Sequence, residues 1–155
     1  MIRDLPPAAR AVAARVSVAV RAAASTDAGE LRSAAAEVEA LDAGHVSTVL
    51  GAVIRMLLEE QHPDGVDGDD LRAVLDGCTH WAHGWLPPTD PEVLLVIVAG
   101  ALGVHPEEAD GISRPGPASI ATHAPLLVAY LLGPRKVDPY LSAAYAEIAR
   151  AEIMD

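Results

Sequence analysis

The chain has 155 residues, 51% hydrophobic and 21% charged, a composition that excludes intrinsic disorder and suits one globular domain. Acidic residues outnumber basic ones 22 to 11, and the net charge of −11 argues against nucleic acid and anionic membranes as partners. One cysteine leaves no internal disulfide to form and suits a reducing compartment.

The helix signals follow one another with clear punctuation. Pro6-Pro7 opens a first helix whose apolar positions Val12, Val16, Ala19, Val20 and Ala23 recur at helical spacing up to Ala24. This segment is basic, with Arg3, Arg10, Arg15 and Arg21 against Asp4, so it is expected to pack on an acidic neighbour or form a dimer contact. Ser25-Thr26-Asp27 offers caps for a second helix striped by Leu31, Ala34, Ala35, Val38 and Leu41. Gly44 reads as its break. Val46, Val49, Leu50, Val53, Ile54, Leu57 and Leu58 then form a strongly apolar third helix that stops before Pro63.

A fourth helix begins near Asp67 and runs to about Trp85, and Pro87-Pro88 separates it from a fifth. Thr89-Asp90-Pro91-Glu92 supplies the fifth with a cap, a first-turn proline and an acid at the positive end. From Val93 to Leu102 it is apolar all round, which marks it as the central helix of the bundle, residues 91–103. Pro106-Glu107-Glu108 reads as one short turn, and Ser113-Arg-Pro-Gly-Pro117 as a loop. The next helix runs from about Ala118 to Leu132, with a kink expected near Ala121 because Pro125 removes a hydrogen bond. A final helix starts near Asp138-Pro139, with Tyr140, Leu141, Ala144, Tyr145 and Ile148 on one side. The expected fold is therefore an all-α, single-domain bundle of about seven or eight helices, residues 1–155, with 6–42 as a semi-independent helical hairpin. The most apolar run, residues 93–104, falls short of the roughly 20 residues of a spanning helix, and no signal-peptide pattern opens the chain. A cytoplasmic protein is expected.

Residues 78–85, Cys-Thr-His-Trp-Ala-His-Gly-Trp, concentrate the only cysteine and both tryptophans in a chain with five aromatic residues of the Phe, Trp and Tyr types. Projection at about 100° per residue splits this string. Leu71, Val74, Leu75, Cys78, Trp81, Ala82 and Trp85 share the core side, where a free cysteine acts as a small apolar residue. Asp76, His80 and His83 share the opposite side as a candidate ligand set for a zinc or iron ion, which needs a further ligand such as His62 or Glu59. A solvated helix face explains the same residues.

Other constellations resolve into local structure. Glu59-x-x-His62 is one half of a carboxylate-bridged di-iron pattern whose other half is missing. His105-Pro-Glu-Glu has capping reasons for its residue types. Asp64-Gly-Val-Asp-Gly-Asp-Asp fails calcium-loop spacing, because Val66 and Gly68 fall where oxygen ligands are needed. His123, two residues before Pro125, reads as a core histidine bonded to the carbonyl that the proline frees, or as a pocket residue with Tyr130 that binds an apolar ligand. No phosphate loop, nucleophile elbow or paired zinc spacing occurs. The expected function is non-catalytic binding or assembly without a cofactor: an accessory or regulatory domain that forms a homo-oligomer or meets a protein partner. A mean hydropathy of +0.25 supports self-association. A small apolar-ligand sensor and a metal-dependent enzyme using Asp76, His80 and His83 are the alternatives.

Overall fold

The computed structural model describes residues 2–104 and 115–154; the His105-Pro-Glu-Glu segment and the start of the loop at Ser113 lie outside the described residues. Among the described residues the protein is all helical. A short turn, Ile2–Asp4, leads into α1 (Pro7–Ala24), α2 (Ala28–Glu39), α3 (Ala43–Gln61), α4 (Gly68–His83), α5 (Pro91–Ala101), α6 (Pro117–Leu132) and α7 (Asp138–Met154).

Local chemistry fixes the helix starts. Asp27, Asp42, Asp67 and Asp90 each accept a backbone N–H from the first turn of the helix that follows, satisfying donors that have no partner inside the helix. Asp67 and Asp70 do so reciprocally in a capping box. Gly44 does not end α2, which stops at Glu39. It lies in the first turn of α3, and Asp42 Oδ1 accepts its N–H at 2.9 Å.

One continuous apolar core joins the helices. Its centre is α6, not α5 as the apolar pattern implies. Ten of the sixteen residues of α6 are buried against four of eleven in α5, and α6 packs on each of α1 to α5. The sequence obscures this because α6 carries Thr122, His123 and Tyr130, whereas α5 is uniformly apolar yet leaves Leu95, Val96 and Ile97 half-buried. α6 continues through Pro125.

Polar tethers hold the outer helices on this frame. The α1 residue Ser17 donates to Asp138 Oδ1 of α7 at 3.1 Å, and Arg55 of α3 pairs with Glu147 of α7. Arg15 pairs with Glu37 of α2, so the basic first helix does meet an acidic neighbour. Arg135 donates to the Leu131 and Leu132 carbonyls, closing the end of α6. No helix among the described residues is long and apolar enough to cross a membrane.

Candidate functional site

The split of residues 78–85 into two faces is visible in the packing. Cys78 and Ala82 are fully buried, Trp81 and Trp85 are half-buried, and Asp76, His80 and His83 are exposed. Burial pushes the Cys78 thiol up to about 12, so it is held as a neutral thiol with little nucleophilic character. Trp81 contacts Trp85 edge-on at 5.2 Å between ring centroids and Tyr130 at 6.0 Å, forming the corner between α4 and α6.

The metal reading gains no further ligand among the described residues. Among the described residues no group of three or more His, Cys, Asp or Glu side chains is placed to hold a metal ion. The proposed extra ligands are engaged elsewhere. His62 Nδ1 donates to the Leu58 carbonyl at 3.1 Å and its Nε2 lies 3.7 Å from Asp70, while Glu59 pairs with Arg55 one turn earlier.

His123 sits in the core. Its ring is buried, Nδ1–H donates to the Ser119 carbonyl at 2.8 Å, and Nε2 accepts the Asp90 backbone N–H at 3.1 Å. The carbonyl it uses is Ser119's, not the one freed by Pro125. Both ring nitrogens are thus spent on joining α6 to the start of α5. Tyr130 lies over Gly77 in the aromatic corner. Neither residue lines the cavities described next.

A groove of about 460 Å³ opens between the start of α1, the start of α3 and the second half of α7. Its walls are mainly apolar, supplied by Leu5, Pro6, Ala8, Ala9, Ile148 and Ala149. Set into them is a polar pair: His45 Nε2 and Tyr145 Oη are 2.8 Å apart, with the rings edge to face at 5.7 Å. Either imidazole tautomer completes this hydrogen bond, the phenol donating to a bare Nε2 or Nε2–H donating to the phenol oxygen. Tyr145 is 8% exposed, and burial pushes its phenol up to about 12. Thr48 and Glu152 complete the polar lining. Thr48 Oγ1 donates to the Gly44 carbonyl at 2.9 Å. A second cavity of about 360 Å³ lies between α3, α5 and α6, with Gly51, Ile97 and Gly100 in its walls and Pro115 at its edge.

A general acid or base works best near neutral pH, and the Tyr145 phenol is displaced away from that range. The His45–Tyr145 pair was missed in the sequence because its members stand 100 positions apart. The sole signals were the place of Tyr145 on the packed stripe of α7 and that of His45 at the start of α3. Compared with known proteins, the chain matches no family model, and no curated protein or solved structure matches it.

Proposed function

We propose that this protein binds a small, largely apolar molecule non-catalytically in the groove between α1, α3 and α7. The observation that carries this reading is the His45–Tyr145 hydrogen bond at 2.8 Å, set in a mainly apolar wall. Apolar concavity with few convergent polar groups is the common form of a small-molecule site. The walls supply burial, and the pair supplies one oriented hydrogen-bonding point for the ligand's polar end.

A thermal-shift screen with apolar metabolites tests it. A ligand at a hundredfold its Kd stabilises by about 2.7 kcal/mol, which raises the Tm of a chain this size by roughly 5–11 °C. Replacing the exposed Ala8 with Trp fills the groove and should abolish the shift. A broad panel with no shift, or a shift unchanged by Ala8→Trp, defeats the assignment.

Self-association is the second reading, favoured by the half-buried flank of α5 and by Val104, which is 60% exposed. Sedimentation velocity at tens of micromolar should then show a dimer, and a strict monomer overturns it.

A further inference from the structure

We infer that the groove between α1, α3 and α7 selects cationic amphiphiles, molecules with an ammonium head and a short apolar body. The inference rests on the groove being the binding site, and it concerns charge. Glu152 is the one carboxylate in the lining, and no lysine or arginine lines the groove among the described residues. The N-terminus of α3, which would otherwise attract an anion, is already occupied by Asp42: its Oδ1 accepts from Gly44 N at 2.9 Å and from His45 N at 3.4 Å. The net charge of −11 adds a long-range field that draws cations, set against the basic Arg3, Arg10, Arg15 and Arg21 of the α1 segment itself.

Energetics point to an alkylated ammonium. Moving a compact, strongly hydrated charge beside apolar walls is costly unless a counter-charge meets it. A quaternary ammonium sheds water more readily, can set its methyl groups against apolar lining such as Leu5, Pro6 and Ile148, and can meet the exposed Glu152 as counter-charge. The alkyl body then lies along Ala8, Ala9 and Ala149, whose small side chains leave it room.

Three probes with one tail separate charge from burial: octyltrimethylammonium, octanol and octanoate, each titrated calorimetrically below its micellar concentration. The ammonium should bind about two- to fivefold more tightly than the alcohol, and octanoate should bind most weakly, as expected for one partly screened charge pair. Glu152→Gln, at an exposed position, should weaken the ammonium by up to about fivefold and leave the alcohol unchanged. Added salt should weaken the ammonium alone. Ala8→Trp should remove its binding, and binding that survives this change overturns the inference because it lies outside the groove. Equal affinity for alcohol and ammonium overturns the charge selectivity while leaving the groove as the site. Preference for octanoate also overturns it, and directs attention to the first turn of α1, which has no side-chain cap. Failure of all three probes defeats the groove itself, and the selectivity with it.

Discussion

Gly77 of α4 lies directly under the Tyr130 ring of α6. A Cβ placed on it meets the Tyr130 phenol oxygen at 1.9 Å and Cζ at 2.8 Å, well inside contact distance. Gly77→Ala therefore sets two effects against each other. The added methyl displaces Tyr130 from its packing with Trp81, an overpacking cost of about 1–3 kcal/mol, while alanine gains about 1 kcal/mol of helix propensity. Chemical denaturation should show net destabilisation in the native background. In a Tyr130→Ala background the same change should become neutral or stabilising, since only the propensity gain remains. If Gly77→Ala destabilises equally in both backgrounds, the close approach is not the reason for this glycine. Sequence pattern offered no way to see it, because a helical glycine says nothing about which distant ring lies over it. The exposed and buried faces of the same helix were legible, since Cys78 and His80 are separated by their angle about one axis.

At the scale of elements, the polar joints decide how helices meet. His123 fixes the start of α5 to α6 through the Asp90 N–H, while Asp90 caps α5 with its own side chain. Replacing His123 with Ala leaves that N–H without its imidazole partner and opens a cavity, so a loss of about 1–3 kcal/mol is expected from the unpaired donor, with the cavity adding to it. Hydrogen exchange should locate the damage: protection is lost first around residues 90–94, before the global transition. Uniform loss of protection would show that the joint is not local. Helix starts were legible because an aspartate cap or a first-turn proline acts within a few residues. The rank of the helices was not. Hydropathy favours α5, but the burial of α6 depends on internal partners such as Ser119 O for His123, which hydropathy does not count.

For the molecule as a whole, two buried neutral acids tie stability to alkaline pH. Cys78 moves from 9.0 to about 12 and Tyr145 from 10.0 to about 12, both through burial. Each folded-state value lies above the unfolded one, so the native state favours the protonated group. That contribution is complete below the unfolded values and is lost as pH rises from about 9 through about 12. Tyr145→Phe gives the cleanest comparison. Near neutral pH the variant should be less stable by about 1 kcal/mol, having lost the His45 hydrogen bond. As pH climbs past 10 the gap should narrow, because only the wild type must keep a phenol protonated. A gap that stays constant in urea titrations between pH 8 and 11.5 contradicts the assignment. The groove that holds this residue was out of reach of spacing arguments: α3 and α7 bring His45 and Tyr145 together across 100 positions, and motif searches see only near neighbours.

The aromatic corner has a practical consequence for detecting ligands. Both tryptophans of the chain stand 5.2 Å apart in one place, and neither lines the groove between α1, α3 and α7. Native indole emission is therefore a gauge of how α4 seats against α6, and it is spectrally blind to a molecule arriving at the opposite set of helices. A fluorescence screen would score a true ligand as silent. Heat-based or calorimetric readouts, or an indole introduced beside Ile148, are what would make occupancy of the groove visible.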